Sequence, residues 1–200
     1  MILHAFYNEK NVGDILLVRL TDKRPISTYK KIDDVCALYK NDEVIGFNIL
    51  NASHYFSNLN NGKIRINEKF VDELNSLLVK YNFDFVNSDY NDHFVVGKII
   101  DLTVHPDSDH MHICKVDNGS EILQIVCGAP NVELGQLVVI AEIGAVMPSG
   151  LIIKPSKLRG IDSNGMLCSA RELALPNAPE KRGILVLDQD LYKVGDSFFK

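Results

Sequence analysis

The sequence is poor in cysteine and has no long apolar run. Its four cysteines, Cys36, Cys114, Cys127 and Cys168, are far apart and form no CxxC pair, which argues against a disulfide framework. No apolar stretch approaches the length of a membrane helix, and the first residues lack the basic and apolar regions of an export signal. We therefore expect reduced thiols in a cytoplasmic protein that neither crosses a membrane nor is exported.

The chain also lacks an excess of positive charge. It carries 21 lysine and arginine residues against 26 acidic residues, whereas general nucleic-acid binders are usually basic. The balance reverses locally, because residues 151–182 contain six cations and three acids. An anionic partner would therefore be bound by this patch, with modest strength and a strong dependence on salt.

Motifs of catalysis are absent from the sequence as well. There is no GxSxG nucleophile turn, no P-loop and no pair of carboxylates in apolar surroundings. The HPDSD run places His105 near Asp107 and Asp109, but a proline-containing acidic turn between two strands is more often a loop than a hydrolytic group. We predict a protein that is not an enzyme and has no cofactor and no small-molecule substrate.

A metal site is the other chemistry that the sequence raises. His105, His110, His112 and Cys114 are close in sequence, and His112 and Cys114 would share one face of a strand. Their spacing matches none of the usual structural zinc sites, and Cys114 lies on an apolar strand face. The sequence therefore predicts no bound metal.

Residues 1–90 have the pattern of an α+β domain. Two pairs of apolar runs within the first 50 residues are each separated by a short turn, which predicts an antiparallel sheet. Apolar residues at helical spacing from Phe70 to Tyr81 predict one amphipathic helix with Asn67 as its N-cap. This helix would cover one face of the sheet.

Residues 91–200 have the pattern of an all-β domain, reached through a polar linker at Asn87–Asp92. Five apolar or alternating runs at close spacing predict a small five-stranded barrel, closed or nearly closed, and barrels of this size often bind oligonucleotides, as in the oligonucleotide-binding fold (OB-fold), or oligosaccharides. The five runs are HFVVGKIIDLTVH, HMHICKVDN, EILQIVCG, QLVVIAEIG and LIIKPSKL. Gly97, in the first run, is a position where a barrel strand could bend sharply.

Three longer runs in this domain are specific enough to indicate a family. VVGKIIDLTVHPDSDHMHICKVDNG, IVCGAPNVELGQLVVIAEIGAVMPSG and IKPSKLRGIDSNGMLCSARELAL resemble, in this order, the tRNA-binding OB-fold domain family. That family includes the N-terminal barrel of the bacterial phenylalanyl-tRNA synthetase β subunit, and the whole chain resembles the YtpR-type tRNA-binding proteins. The resemblance implies a non-catalytic protein that recognises tRNA by its backbone and shape. It also implies a homodimer as one assembly, since several stand-alone members are dimeric.

The resemblance and the basic patch together select nine candidate tRNA-binding residues. Lys157 and Arg159 alternate beside the predicted last strand, so both could contact phosphates, although charged residues also protect exposed strand edges. Gly165 would let a nucleotide approach the backbone, with Ser163 as a donor and Met166 packing on a base or in the core. The nine are Lys154, Lys157, Arg159, Ser163, Gly165, Met166, Ser169, Arg171 and Asn131.

Two more of the nine have structural interpretations that compete with tRNA contact. Ser169, with Glu172 three residues later, fits a capping box and predicts a short helix that carries Arg171. Amides at the start of that helix could also receive a phosphate. Asn131, in the GAPN turn, is more typical of a residue that stabilises the turn than of a nucleotide ligand.

The alternative function is a protein-interaction or dimerisation adaptor that uses a diverged OB-fold. The acidic balance of the chain and its apolar end favour this interpretation, because Phe198 and Phe199 would need to be covered. The sequence leaves both functions open.

Overall fold

The chain folds as two units, Met1–Tyr90 and Asn91–Lys200, in a computed structural model that describes residues 3–86 and 93–199. Both units are mostly β, and the strands of their sheets are antiparallel. The predicted linker at Asn87–Asp92 lies outside the described residues. In the part of the chain that is described, no helix has the length and apolar character needed to cross a membrane.

The N-terminal unit is a six-stranded sheet with two helices and a 3₁₀ turn in its described part. Its elements are β1 (His4–Tyr7), α1 (Glu9–Val12), β2 (Ile15–Arg19), β3 (Thr28–Ile32), β4 (Val35–Lys40), β5 (Glu43–Leu50), a 3₁₀ turn (Ala52–His54), β6 (Gly62–Ile64) and α2 (Glu68–Lys80). The strands are hydrogen-bonded in the order β3–β4–β5–β2–β1–β6. The sequence predicts the pairs β1–β2 and β4–β5 but not β3 or β6, which lack alternating apolar residues.

The helix α2 covers one face of this sheet. Asn67 is its N-cap, as predicted, and the side-chain oxygen accepts a hydrogen bond from the amide of Phe70 at 2.9 Å. The apolar side of α2 is buried in one core with the strand residues Ala5, Val18 and Phe47. Because side chains alternate along a strand, the neighbours of these core residues face away from α2.

The C-terminal unit contains a second sheet and a separate hairpin. Its elements are β7 (Phe94–Val104), β8 (His112–Asp117), β9 (Ile122–Cys127), β10 (Leu137–Ala141), β11 (Ser156–Leu158), β12 (Ile161–Ser163), β13 (Met166–Leu167) and β14 (Val186–Leu187). The sheet has the order β13–β10–β7–β8–β9, β14 also pairs with β10, and β11 pairs with β12 alone. The first four predicted strands therefore correspond to β7, β8, β9 and β10.

The fifth predicted strand, residues 151–158, is wrong. Ile152 makes an isolated bridge to Val146, and Ser156–Leu158 pairs with β12 rather than with the sheet. Pro155 interrupts the run because it has no amide hydrogen to donate to a ladder. The position next to β10 is occupied instead by the two residues of β13.

Gly97 lies buried in β7, opposite Val138 of β10. A Cβ atom at this position would lie 2.3 Å from Cδ1 of Ile140 and 3.0 Å from the carbonyl oxygen of Asp117. The register between β7 and β8 shifts further along the strand, between Ile99 and Asp101. Gly97 therefore permits close packing of β7 against its neighbours.

We expect Gly97→Ala to lower the free energy of unfolding of the C-terminal unit by about 2 kcal/mol, because the added methyl group overpacks a filled site. Urea titration followed by circular dichroism measures this change. Gly128→Ala is the matched control, since its Cβ would meet only Met111, at 3.7 Å, and its expected cost is below about 0.5 kcal/mol. Equal stabilities of the two variants would contradict the packing role of Gly97.

Candidate nucleic-acid interface

A groove of about 610 Å³ lies in the C-terminal unit between three segments of the chain. One segment follows β9 and includes Gly128, the second begins at Met166 in β13, and the third ends at Ile184. Gly128 and Gly183 carry no side chain, so the backbone itself forms part of the groove wall. The groove is therefore open to contacts with backbone as well as side-chain groups.

Positive charge outweighs negative charge along this groove. Arg171, Lys181 and Arg182 line it and are exposed, and Glu172 is the acid among the lining residues. The carboxylate of Glu172 already accepts hydrogen bonds from the amide and the hydroxyl of Ser169, at 2.7 and 2.6 Å. The groove thus presents a net positive rim to an anionic ligand.

Asn131 fixes the wall that carries Lys181 and Arg182. Its Nδ2 donates to the carbonyl oxygen of Ile184 at 3.0 Å, and its Oδ1 accepts from the amide of Ile184 at 2.9 Å. Gly183 fits directly against this side chain, because a Cβ there would lie 2.7 Å from Oδ1 of Asn131. Asn131 therefore positions the groove, beyond the stabilisation of its own turn that the sequence suggests.

Ser169 and Glu172 form the predicted capping box. Besides the two bonds to the carboxylate, the amide of Glu172 donates to Oγ of Ser169 at 3.2 Å. The helix predicted from these residues is wrong, because the segment makes one turn and Ala174 then adopts a φ of 52°. Arg171 lies in this turn and donates to the carbonyl oxygen of Glu180 at 3.3 Å, which holds it beside the groove.

Lys157 and Arg159 lie on the β11–β12 hairpin, outside the groove lining. Lys157 pairs with Asp162 across the hairpin, with 2.9 Å between Nζ and Oδ1. Arg159 and Gly160 form the turn with φ values of 44° and 85°, so the predicted strand alternation of Lys157 and Arg159 is wrong. Lys154 is exposed just before the hairpin.

His105 attaches this hairpin to the HPDSD loop. Its side chain is 1% exposed, its Nδ1 accepts from the amide of Asp107 at 3.1 Å, and its Nε2 lies 3.1 Å from the carbonyl oxygen of Leu158. A carbonyl oxygen can only accept, so the neutral tautomer with the proton on Nε2 satisfies both bonds. Arg159 adds a hydrogen bond from its guanidinium to the carbonyl oxygen of Asp107.

Ser163 and Gly165 connect the hairpin to β13 from buried or half-buried positions. Ser163 is 2% exposed, and its Oγ accepts from the amide of Val126 at 3.1 Å and donates to the carbonyl oxygen of Gly165 at 3.3 Å. At Gly165, φ is 143° and a Cβ would lie 3.1 Å from the carbonyl oxygen of Ala141. Close packing within the protein accounts for both residue types at these positions.

We expect Ser163→Ala to lower the free energy of unfolding by about 1–2 kcal/mol, because it leaves the buried amide of Val126 without its partner. Urea titration measures the loss. Ser156→Ala is the matched control, since its hydroxyl makes a 3.5 Å contact in an exposed strand. A fall in tRNA affinity with unchanged stability would contradict this structural role and indicate direct contact by the hydroxyl.

Of the nine predicted residues, the structure brings Met166, Ser169 and Arg171 together in the groove lining, and Asn131 supports it. Met166 is half-buried there. Two further lining residues, Lys181 and Arg182, belong to the cation-rich stretch of the sequence but not to the nine. They face the same groove as Arg171. Lys181 follows Arg171 by ten residues, and the sequence alone does not reveal that this loop brings them together.

The thiols and histidines of this unit are not arranged as a metal centre. Within residues 3–86 and 93–199, no three histidine, cysteine or acidic side chains form a group that could hold a metal ion. Burial raises the pKa of the Cys114 thiol and that of the Cys168 thiol to about 12. Both thiols therefore stay protonated at neutral pH, and a protonated thiol is neither a good metal ligand nor a nucleophile.

The apolar end of the chain is covered within the C-terminal unit. Phe199 packs edge-on against Phe94 with ring centroids 5.2 Å apart, and Phe198 stacks with Tyr192 at 6.1 Å. Both terminal phenylalanines are half-buried. The chain itself therefore covers part of the apolar surface of Phe198 and Phe199, on which the adaptor interpretation depends.

Comparison with known families places the groove in a recognised domain. A family model described as "Putative tRNA binding domain" matches residues 94–196, about half of the chain. A second model, "Domain of unknown function (DUF4479)", matches residues 22–86. The groove and the β11–β12 hairpin both lie in the first of these matches.

Individual proteins resemble the chain over different lengths. The "Putative tRNA-binding protein YtpR" of Bacillus subtilis is 48% identical over 200 residues, which cover 98% of this chain and 99% of that protein. The phenylalanine–tRNA ligase beta subunit of Wolbachia sp. subsp. Brugia malayi is 52% identical over 107 residues, which cover 53% of this chain but 13% of the subunit. The solved C-terminal domain of Plasmodium vivax p43 has 22% identity and a TM-score of 0.37, covers 51% of this chain and 56% of that one, and carries no argument here.

Proposed function

Because the chain belongs to the family described as "Putative tRNA binding domain", we propose that it is a non-catalytic tRNA-binding protein whose ligand is held in the groove between β9, β13 and the 179–184 segment. The observation that carries this proposal is the net positive rim of that groove in a chain with a net charge of −5. A local basic surface is what an acidic protein needs to bind a polyanion.

The groove offers two kinds of contact to an RNA. Arg171, Lys181 and Arg182 would hold phosphates, and such contacts position a nucleic acid without reading its sequence. Met166 and Pro130 offer apolar surface to a ribose or an unstacked base. We therefore expect recognition by backbone and shape, with similar affinity for different tRNA species, in the cytoplasm.

A closed five-stranded barrel of the OB type is the architecture that we propose for the sheet of this unit. β13 pairs with β10 at one side of the sheet, and the adjacent amide of Asn164 donates to the carbonyl oxygen of Gln124 in β9 at 2.8 Å. The bond from the amide of Val126 to Ser163 lies at the same junction. These bonds link residues just before β13 to β9, at the other end of the strand order, which supports closure of the barrel.

Lys154, Lys157 and Arg159 would make a second and weaker set of phosphate contacts. The ion pair with Asp162 offsets the charge of Lys157, and the hydrogen bond to Asp107 restricts Arg159. Their contribution to affinity should therefore be smaller than that of Lys181 and Arg182.

Filter-binding titrations test the function directly. Deacylated tRNA is compared with a DNA duplex and a single-stranded DNA oligomer, each at two salt concentrations. We expect tRNA to bind more tightly than both and to weaken as salt rises. Equal binding of all three ligands, or no binding of tRNA, would contradict the proposal.

A homodimer is the assembly that we propose for the protein. Two-fold symmetry would present two basic grooves to one tRNA, and linked binding sites raise the overall affinity even when each is weak. Light scattering across a range of protein concentrations, with and without tRNA, tests this assembly. A monomer under all of these conditions would contradict it.

A further inference from the structure

The sheet of the N-terminal unit has a second face, which is directed away from α2 and is called the open face below. Ala5 and Val18 belong to the core beneath α2, so their strand neighbours Phe6 and Arg19 point to the opposite side. The register of the sheet places several other polar and aromatic residues on this open face. They include His4, which is 7% exposed, Tyr29, Lys31, Asn48 and Lys63, and the apolar Leu17 and Leu38 lie on the same face.

Three cations converge on the β1 end of this face. Arg19 is paired with His4 across β1 and β2, and Lys63 is paired with Phe6 across β1 and β6. Burial, together with the positive charges of Lys63, Arg19 and Arg24, lowers the pKa of His4 from 6.5 to about 4. The imidazole of His4 is therefore neutral at pH 7, and the cations around it create a positive potential.

Aromatic rings lie on the same face as these cations, with Phe6 beside them and Tyr29 three strands away from the strand of Arg19. Phe6 is half-buried, and His4 packs against it edge-on with ring centroids 5.6 Å apart and an interplanar angle of 80°. Tyr29, on the edge strand β3, is 68% exposed. Rings on an open sheet surrounded by cations are the surface on which unpaired bases stack while phosphates are held beside them.

The distribution of charge between the two sides of the unit indicates an anionic occupant. On the opposite side of the sheet, the polar surface of α2 carries three acids, Glu68, Asp72 and the half-buried Glu73, and two exposed lysines, Lys69 and Lys80. At the edge of the open face, Glu43 is neutralised by Lys23, with 2.5 Å between Oε2 and Nζ. The open face, which carries Arg19, Lys31 and Lys63, is therefore more positive than the helix side, where three acids are offset by two lysines.

We propose that this open face binds an unpaired stretch of RNA, with a base stacked on Phe6 and phosphates held by Arg19, Arg24 and Lys63. Bases in a duplex are stacked on one another and cannot lie flat on a protein ring, so the occupant is single-stranded. An acidic peptide would be attracted by the cations, but it has no bases that could stack on the aromatic rings. The face belongs to the unit whose residues 22–86 match a domain of unknown function, although Phe6 and Arg19 precede that match, and it shares no residue with the tRNA groove.

The test uses the full chain carrying Lys181→Glu and Arg182→Glu, called the groove-silenced chain because these changes remove most of the affinity of the groove for RNA. The probe is a short fluorescent oligouridylate. We expect this background to bind the oligouridylate and to bind neither a fully paired RNA hairpin nor polyglutamate with comparable affinity. Phe6→Leu should weaken binding about tenfold, because it keeps apolar bulk but removes the stacking ring. Lys63→Gln should weaken binding and reduce the slope of log affinity against log salt by about 0.7.

Control variants and unfolding measurements distinguish the loss of an RNA contact from unfolding of the protein. Lys69→Gln removes one cation from the helix side and should change affinity less than twofold, and thermal unfolding checks every variant. If Phe6→Leu unfolds, Tyr29→Ser decides instead, because that side chain is largely exposed and its loss should weaken binding about threefold. Polyglutamate binding as tight as RNA binding, or undiminished affinity in the ring variants, would overturn the proposal. Failure of the groove-silenced chain to bind oligouridylate, while the unmodified chain still binds tRNA, would overturn it and leave the tRNA-binding function standing.

Discussion

Replacing Lys181 and Arg182 together by glutamate is expected to weaken tRNA binding about 100-fold at moderate salt. Both cations are exposed on the groove, and Asn131 holds their segment against the groove wall through two hydrogen bonds to Ile184. Each charge-assisted contact to a phosphate contributes about 1.5–3 kcal/mol, and the introduced carboxylates would also repel the RNA. A fluorescence titration with labelled tRNA measures the change.

Two double variants with the same change in net charge serve as controls. Lys157→Glu with Arg159→Glu alters the hairpin, where an ion pair and a backbone hydrogen bond already hold both cations, so we expect a loss of about threefold to tenfold. Lys98→Glu with Lys193→Glu alters exposed cations outside the groove lining and should cost less than about threefold by long-range repulsion alone. A larger loss of tRNA affinity in the hairpin variant than in the groove variant would show that the interface lies on the hairpin.

Replacing His105 by alanine is expected to lower the free energy of unfolding of the C-terminal unit by about 3 kcal/mol. The substitution empties the site of a fully buried ring and removes hydrogen bonds to Asp107 and Leu158. The HPDSD loop and the β11–β12 hairpin would then lose the side chain that joins them. Urea titration gives the stability, and hydrogen exchange of the hairpin amides reports the detachment.

His105→Asn separates the two bonds of this side chain. The asparagine oxygen lies near the position of Nδ1 and can still accept from the amide of Asp107, but it cannot reach Leu158. We expect faster hydrogen exchange in residues 156–163 with a smaller loss of stability than in the alanine variant. Hairpin protection equal to that of the unmodified protein would show that the bond to Leu158 does not hold the hairpin.

The parts of the fold that depend on local pattern could be predicted from the sequence. The start of α2 at Asn67 follows from a capping residue and an apolar stripe, and β7 to β10 follow from alternating or apolar runs. The segment after Leu151 could not be assigned in this way. Two residues of β13 carry no periodic signal, and their place beside β10 depends on contacts between distant parts of the chain.

The candidate site could likewise be predicted only where it depends on residues that are close in sequence. The excess of cations in residues 151–182 indicates a patch, but it does not reveal that Lys181 faces the same groove as Gly128. That arrangement depends on Asn131, which bonds to a residue 53 positions away. Ser163 shows the opposite error, in which the sequence suggests a ligand contact at a structural residue. A small polar residue in a glycine-rich run is compatible with binding a ligand, but its hydroxyl accepts a hydrogen bond inside the protein.

The most direct test of the groove as the tRNA site is the salt dependence of binding. The affinity of the full chain for tRNA is measured over a series of salt concentrations, with and without Lys181→Gln and Arg182→Gln. If both cations contact phosphates, the slope of log affinity against log salt should become shallower by about 1.4 to 1.8 in the double variant. Parallel lines for the two proteins would contradict the account, because they would show that neither cation meets the RNA backbone.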